Sequence, residues 1–380
     1  MLLEKVKLHN FKSHKDTELS LDSSRLHALV GQNSSGKTSV LQALHYLSRL
    51  ANSSFDNIFQ HEKEPQFITT IGQYNMSVTA SGFWGYTNYK HWEASYNWRK
   101  QSFNHPWLPT ASWKVDQELG NVQGGSHSLM VAQYPIPQSL RHSVYLKLVA
   151  TNLAKAAYTD AITPRVEFDG SNLAPTLDYL RNEAPDEFQS LQEMLKRIVP
   201  GVREVGVGRA KVMVNRQRLI EVGGKSISYE ESQEMAGQEV VLDMNTGKRI
   251  AAHAISEGTM LALGLLTVLM NPNQPTNLVL LDDVEQGLHP KAQRELIDVF
   301  KEILQDNHNL QIIFSTHSPY IVDELTPSQV HVLSNANSGF THSKRLDEHP
   351  DVEWAKQTLT TGEFWDAEGE DWVVAGEIND

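Results

Sequence analysis

The chain has 380 residues, of which 40% are hydrophobic and 21% are charged, as in ordinary soluble globular proteins. Its formal net charge of −13 excludes a general attraction to nucleic acid or anionic membranes, so any such contact has to be a local patch. The absence of cysteine excludes disulfides, thiol catalysis and cysteine-ligated zinc. This length predicts two or three domains, or one large domain with an insertion.

The sequence contains no targeting signal that we recognise. Its first residues lack the apolar core of a signal peptide, and the longest apolar run, residues 260–270, is too short to cross a bilayer. A chain without cysteine also suits a reducing compartment. We therefore expect a cytoplasmic protein without a membrane partner.

Residues 1–30 alternate polar and apolar side chains, which predicts strands, and a glycine-rich loop follows them. Residues 31–39 read GQNSSGKTS and fit the phosphate-loop pattern G-x-x-x-x-G-K-[ST]. An apolar strand precedes the loop and apolar residues at helical spacing follow it, so a chance glycine turn is the weaker interpretation. Backbone N–H groups of such a loop bind phosphate. We predict a nucleoside triphosphate site formed by Asn33, Ser34, Ser35, Gly36, Lys37, Thr38 and Ser39, with Lys37 on the β- and γ-phosphates and Thr38 on Mg²⁺.

Three further motifs lie in the C-terminal half. Ser256 and Gly258 open an apolar helix, and a helix N-terminus of this kind can bind an anion. A buried strand, residues 277–281, ends in Asp282 and Asp283, two carboxylates suited to supporting Mg²⁺ and orienting an attacking water. His317 follows another apolar strand, where a lone histidine would usually be structural.

In this order the motifs resemble the SMC/RecF/OLD group of ABC-type ATPases. The resemblance rests on LHNFKSHKDTELSL, LVGQNSSGKTSVLQAL, ISEGT and the E-x-G-L-H-P pattern of residues 285–290. It implies an α/β fold, an ABC-type ATPase head with a mixed β-sheet core and an α/β insertion lobe. We expect no long coiled coil, because no heptad pattern is sustained.

The resemblance also implies roles for individual residues. ATP and Mg²⁺ would be the cofactors, with Asp282 and Gln60 beside Thr38 at the metal, Asp283 as the base and His317 as the switch histidine. The group normally has glutamate where Asp283 stands, so we expect slow hydrolysis. Ser256 and Gly258 would close over ATP held by a second subunit, which implies a homodimer or a larger ring. Adenine-side or phosphate-side contacts are expected from Lys12, Ser13 and His14, unless these form only a polar hairpin turn.

We divide the chain into five segments. They are an N-terminal ATPase segment with the phosphate loop (1–60), a tryptophan-rich β-insertion (61–135), a helical and β lobe (136–235), a C-terminal ATPase segment with the signature, Walker B and switch histidine (236–345) and an acidic tail (346–380). We predict a helix over residues 139–158, followed by a turn and a second helix that ends near residue 200.

Three stretches leave two interpretations open. The insertion, which contains Trp84, Trp92, Trp98, Trp107 and Trp113, could be a docking surface or could build its own small core. The strands of residues 203–225 carry six Lys and Arg against two Glu, so they could contact nucleic acid or be a solvated face. The acidic tail, which includes Trp365 and Trp372, could be disordered or dock a partner.

These expectations combine into one function. Only 63 residues follow His317, too few for the TOPRIM nuclease domain of OLD-type enzymes. We therefore expect an ATPase subunit that controls an effector supplied in trans, a TOPRIM-type nuclease or a toxin, and family analogy suggests anti-phage defence. The alternative is a RecF- or SMC-like clamp that binds DNA in repair or maintenance.

Overall fold

The computed structural model describes residues 2–49, 67–84, 90–100, 107–115, 118–123, 140, 142–222, 225–273, 276–335 and 339–374. The chain divides into two compact units, where the sequence suggested five segments. The first unit contains residues 1–145, 276–285 and 297–380, and the second contains residues 146–275 and 286–296. Each unit is thus assembled from stretches that are far apart in sequence.

One sheet of the first unit is antiparallel, with strand order β2-β1-β4-β5-β6-β7. Four of its strands, at residues 2–11, 14–20, 90–99 and 108–115, largely alternate between buried and more exposed side chains, as expected for a sheet with one face on the core. The strands of this sheet are β1 (Leu2–Phe11), β2 (His14–Ser20), β4 (Asn75–Trp84), β5 (Lys90–Arg99), β6 (Leu108–Val115) and β7 (Glu118–Gln123).

The other sheet of this unit is mixed, with strand order β15-β14-β3-β13-β12-β8. Strands β14, β3, β13 and β12 run parallel and β15 is antiparallel to β14. Its central strands are buried along their whole length, which explains their continuous apolar sequences. The strands are β3 (Leu26–Val30), β8 (Ser143–Leu146), β12 (Leu278–Leu281), β13 (Gln311–Ser315), β14 (Val330–Asn335) and β15 (Thr341–Arg345).

Helix α1 (Lys37–Arg49) begins within the phosphate loop, as predicted. Its buried Val40, Leu41, Leu44 and Leu47 are the residues whose helical spacing the sequence shows, and they join a core shared by both sheets. The helix therefore fixes the loop against the carboxyl ends of the parallel strands.

The tryptophan-rich segment extends the antiparallel sheet from β1 instead of forming a core of its own. Trp92, Trp98 and Trp113 are buried in the core that contains α1, and Trp107 packs against it. These side chains are therefore not an exposed docking surface. The Trp84 side chain lies outside the described part of the chain.

The second unit contains helices and one three-stranded sheet of order β11-β10-β9. Its strands are β9 (Val202–Val222), β10 (Lys225–Met244) and β11 (Gly247–Ala251), and its helices are α2 (Ala150–Leu153), α3 (Leu173–Glu183), α4 (Pro185–Ile198) and α5 (Glu257–Leu269). Helix α6 (Pro290–Asp306) follows β12. Most of α5 is buried, which fits its apolar sequence. In the described ranges, no helix is both long and apolar enough to span a membrane.

The helix predicted over residues 139–158 is wrong. The described part of this stretch forms β8 and the single turn α2. The apolar spacing of a short run does not distinguish a strand from a helix. Residues 143–146 form a strand because they pair with β12 at the edge of the sheet. The expected turn precedes α3, and the expected second helix is α4, which ends at Ile198.

Residues 203–222 of the basic stretch lie on β9, and the partner strand β10 is acidic. Lys211 forms an ion pair with Glu234 of β10 at 2.8 Å, and Arg216 pairs with Asp160 at 2.7 Å. The whole hairpin, residues 202–244, carries seven acidic against six basic residues. This neutralisation favours the solvated-face interpretation of the charge run.

The described part of the acidic tail, residues 346–374, is largely helical, which argues against the disordered interpretation for these residues. It forms α8 (Val352–Thr358), α9 (Thr361–Glu368) and α10 (Asp371–Val374), and the short helix α7 (Pro319–Val322) precedes it. Trp365 is buried, and the Trp372 ring lies edge-on to His349 with centroids 4.8 Å apart. Both tryptophans thus pack on their own chain, and residues 375–380 lie outside the described part.

Candidate nucleotide site

The phosphate loop encloses a cavity of about 200 Å³ at the start of α1. Gly36 has a φ of +97°, and a Cβ at this position would lie 2.7 Å from His14 Nε2 and Thr341 Oγ1. Position 36 therefore requires glycine, because a Cβ there would clash with these two side chains and the backbone is left-handed. The cavity is lined by Ser13, Asn33, Ser34, Ser35, Gly36, Lys37, Thr38, Ser39, Asp283 and His317.

Lys37 is folded back onto its own loop. Its Nζ donates hydrogen bonds of 2.8 Å to the carbonyl oxygens of Gly31 and Gln32. Burial lowers the pKa of Lys37, while the nearby carboxylates, first among them Asp283, oppose this shift. The ammonium group is thus held in place by carbonyl oxygens that an anion could replace.

Asp282 is buried and surrounded by hydrogen-bond donors. Thr38 Oγ1 donates to both of its carboxylate oxygens, at 3.0 and 3.1 Å, and Ser315 Oγ donates to Oδ1 at 2.7 Å. Tyr145 is also hydrogen-bonded to Asp282. A threonine hydroxyl beside a carboxylate offers the oxygen ligands that Mg²⁺ prefers, so this pair fits the predicted ion.

Asp283 and His317 face the same cavity from neighbouring strand ends. The Asp283 backbone is left-handed, with φ of +53°, and its N–H donates to Ser315 Oγ at 2.8 Å. The backbone N–H of the exposed His317 donates to Glu285 Oε1 at 2.8 Å. Sequence reasoning gave no role to Ser315, Tyr145 or Glu285.

The three residues of the N-terminal turn have different positions. Ser13 lines the cavity, and Lys12 Nζ donates to Gln42 Oε1 of α1 at 2.7 Å. His14 is buried behind the loop, with Nε2 at 3.1 Å from the Gly36 carbonyl oxygen, and burial lowers its pKa to about 4. Of the three, only Ser13 lies among the cavity-lining residues. Gln60 lies outside the described residues.

Ser256 and Gly258 line another cavity, of about 320 Å³, within the second unit. Ser256 caps α5, because its Oγ accepts the Thr259 N–H at 3.4 Å. A Cβ on Gly258 would come within 2.2 Å of the Gly287 carbonyl oxygen, so the helix start requires glycine. The other lining residues include the basic side chains Arg197, His289 and Lys291. A helix N-terminus with these neighbours suits an anion.

The fold is similar to that of solved SMC head domains. The chain superposes on the SMC head bound to the C-winged helix domain of ScpA with a TM-score of 0.56, at 15% identity, over 92% of this chain and 99% of that one. The chain also superposes on a Smc head with an extended coiled coil, bound to the C-terminal domain of ScpA derived from Pyrococcus furiosus. The TM-score is 0.55 at 14% identity, over 94% of this chain and 99% of that one. At such identities the likeness shows the fold alone. Fold and site together define an ABC-type ATPase head of the SMC/RecF kind, which confirms the predicted fold class.

The family follows from the sequence. Residues 96–323 match the family described as “AAA domain, putative AbiEii toxin, Type IV TA system”, and residues 1–80 match the “AAA ATPase domain” family. The first match covers more than half of the chain. The protein belongs to this AAA ATPase family.

Two curated relatives share shorter stretches. The “Retron Vc95 probable ATPase” of Vibrio cholerae serotype O1 biovar El Tor is 25% identical over 142 residues, which are 34% of this chain and 27% of that one. The DNA replication and repair protein RecF of Synechococcus sp. (strain JA-2-3B'a(2-13)) is 32% identical over 75 residues, 19% and 20% of the two chains. The matches therefore span about a quarter of each relative.

Proposed function

We propose that this chain binds ATP with Mg²⁺ in the phosphate-loop cavity and hydrolyses it slowly. The observation that carries the proposal is the set of side chains around one cavity, in which Lys37, Thr38, Asp283 and His317 converge and Thr38 is bonded to Asp282. A loop of backbone N–H groups, a cation and two carboxylates are the parts that phosphoryl transfer requires.

Each residue of the cavity has a role in this proposal. Lys37 would exchange its two carbonyl partners for phosphate oxygens, and Thr38 with Asp282 would hold the ion. Bound Mg²⁺ would neutralise charge on the phosphate oxygens. Asp283 would orient the attacking water and take up its proton, and His317 would contact the γ-phosphate.

Slow turnover follows from the short side chain of Asp283. Its backbone is fixed by the hydrogen bond to Ser315 Oγ, so the carboxylate reaches one methylene less far than a glutamate would. An enzyme of this kind remains in its ATP-bound state, which suits a switch. Purified protein should therefore turn over well below about 10 ATP per second, a common rate for enzymes. Multiple-turnover assays with radiolabelled ATP measure this rate, and turnover at tens per second would contradict the switch.

The second cavity supports a shared site. Ser256 and Gly258 would close over the ATP held by a second copy, so that two chains enclose two nucleotides in a homodimer or in a larger ring built of such dimers. The capped N-terminus of α5, with Lys291 nearby, would supply the positive potential that a γ-phosphate requires, while the charge of Arg197 is paired with Glu295 at 2.8 Å.

We propose further that the ATP-bound state controls an effector in trans, a TOPRIM-type nuclease or a toxin, in anti-phage defence. Support comes from the similarity to the retron ATPase and from the family description. A coupling free energy of a few kcal/mol between nucleotide and effector sites would suffice. The chain alone should then cut no nucleic acid.

Two experiments test the effector proposal. Purification from the native cell should yield a stoichiometric partner, identified by mass spectrometry, and Lys37→Ala should abolish protection in phage plating. Highly purified chain, incubated with Mg²⁺ or Mn²⁺, ATP and linear, circular or single-stranded nucleic acids, should leave them intact. Cleavage that follows this chain through purification, and is lost with a point mutation outside the ATP cavity, would contradict the proposal.

The second candidate is a DNA-binding clamp, favoured by the similarity to RecF. It would require the basic side chains of β9 to grip phosphates, although β10 neutralises part of their charge. ATP-dependent, salt-sensitive DNA binding, weakened by alanine at Arg209, Lys211, Arg216 and Arg218, would support the clamp. DNA binding that is absent at 50 mM salt would exclude it.

A further inference from the structure

Tyr145 occupies a position beside the carboxylate that the sequence assigns to Mg²⁺. Strand β8, which carries it, is the neighbour of β12 in the mixed sheet, and Asp282 directly follows β12. The Asn277 N–H donates to the His142 carbonyl oxygen at 2.9 Å, which fixes the two segments side by side. The Tyr145 side chain is 7% exposed, and it is hydrogen-bonded to Asp282.

Three hydrogen-bond donors from different segments of the chain contact the Asp282 carboxylate. Thr38 comes from the phosphate loop, Ser315 from β13 and Tyr145 from β8. An ionised carboxylate accepts at about four lone-pair positions, and a buried one is stable only when these are satisfied. Of the three donors, Thr38 would also ligate the ion, which leaves Ser315 and Tyr145 to hold the carboxylate in place.

Tyr145 also contacts the helix that follows the phosphate loop. Its ring lies 5.2 Å from the ring of His45 on α1. A tyrosine hydroxyl carries its proton at neutral pH, and an ionised carboxylate can only accept a hydrogen bond. The hydroxyl therefore acts as a donor to the carboxylate.

We propose that Tyr145 is a positioning residue for the site of the divalent cation. The Tyr145 hydroxyl holds the Asp282 carboxylate in the orientation in which it accepts from Thr38 and would face the ion. This inference rests on the proposed function, because it assumes that ATP and Mg²⁺ occupy the cavity. Without the hydroxyl, Ser315 and Thr38 still bond to the carboxylate, but its orientation is less firmly fixed. A lost hydrogen bond to a charged group corresponds to about a tenfold change in affinity, so the Mg²⁺ requirement should rise by that factor.

The test separates the ion from the nucleotide. Binding of a fluorescent ATP analogue is titrated with Mg²⁺ and, separately, in EDTA, for the wild type and for Tyr145→Phe. We expect unchanged affinity in EDTA and a roughly tenfold higher half-saturating Mg²⁺ concentration for the variant. Electron paramagnetic resonance of Mn²⁺ should show the same weakening without any turnover.

Tyr96→Phe is the matched control. Tyr96 is another buried tyrosine of the same unit, and its hydroxyl donates to the Ala43 carbonyl oxygen of α1 at 3.2 Å, with no contact to Asp282 among the described bonds. This variant loses a comparable buried hydrogen bond. Its Mg²⁺ requirement should equal that of the wild type, even if its melting temperature falls.

Several outcomes would overturn the inference. They are a wild-type Mg²⁺ requirement in folded Tyr145→Phe, an equal loss of affinity with and without the ion, and an equal effect in the control. If Tyr145→Phe does not fold, Tyr145→His, which keeps a ring donor, is compared with Tyr145→Met, and equal Mg²⁺ requirements in this pair contradict the inference. A wild type that binds no nucleotide, even in EDTA, shows instead that the proposed function is wrong, and the inference with it.

Discussion

Lys37 is the side chain on which ATP binding should depend most directly. Among the described residues, its ammonium group bonds to two carbonyl oxygens of its own loop, so Lys37→Ala removes a ligand contact and leaves the core intact. Hydrogen bonds to charged groups contribute about 1.5–3 kcal/mol each, so ATP affinity should fall by at least tenfold. Calorimetry measures the affinity and circular dichroism controls for folding. An unchanged dissociation constant would remove Lys37 from the site.

Asp283 and His317 should affect the rate and not the binding of ATP. Asp283→Asn keeps the shape of the side chain but removes the base, and a positioned base contributes about 10²–10⁴-fold to a rate. His317→Ala should slow hydrolysis less and also leave affinity intact. Single-turnover assays at saturating ATP measure both. Full activity of Asp283→Asn would show that another group activates the water.

Buried histidines should make the free energy of unfolding depend on pH. His331 of β14 faces His27 of β3 with ring centroids 5.5 Å apart, and burial lowers the pKa of His331 to about 3. His14 has its pKa lowered to about 4 by burial. Because the unfolded chain then binds more protons below pH 6.5, the free energy of unfolding should fall as the pH decreases through this range.

This loss can be measured by denaturant unfolding at pH 7.5 and 5.5. One pH unit below the unfolded pKa, each buried histidine costs about 1.4 kcal/mol. His331→Leu should reduce the pH dependence by about that amount, and the exposed His308→Gln serves as the control. An identical difference between the two pH values in His331→Leu and the wild type would show that His331 does not titrate on unfolding.

The sequence predicted elements whose signal is local. The strand, glycine loop and helix of residues 26–50 follow from adjacent residues, because a phosphate loop requires glycines, a lysine and a hydroxyl at fixed spacing. Asp282 and Asp283 were found for the same reason, since both follow one apolar strand.

Elements that depend on distant partners were missed. Residues 143–146 are a strand only because β12 lies beside them, and Tyr145 reaches Asp282 across 137 positions of the chain. Ser315 likewise lies at an ordinary strand end, where nothing in the local sequence distinguishes it. Trp92 and Trp98 are buried because β5 belongs to the same antiparallel sheet as β1, and composition alone does not show this pairing.

At the scale of the whole molecule, the central claim is that the ATP site is completed by a second chain. The phosphate loop belongs to one compact unit and Ser256 to the other, and each lines its own cavity. If two copies share the nucleotide, ATP that is bound but not hydrolysed must favour association. A bulky cation at Ser256 would fill the second cavity, whose lining includes no residue of the phosphate loop.

Multi-angle light scattering of the slow Asp283→Asn protein, with and without ATP and Mg²⁺, tests this claim most directly. We predict that the mass rises to a dimer, or to a multiple of dimers, only with nucleotide. In the same background, Ser256→Arg should keep ATP affinity and lose association. A molar mass that does not change with ATP, or a Ser256→Arg protein that associates normally, would contradict the shared site.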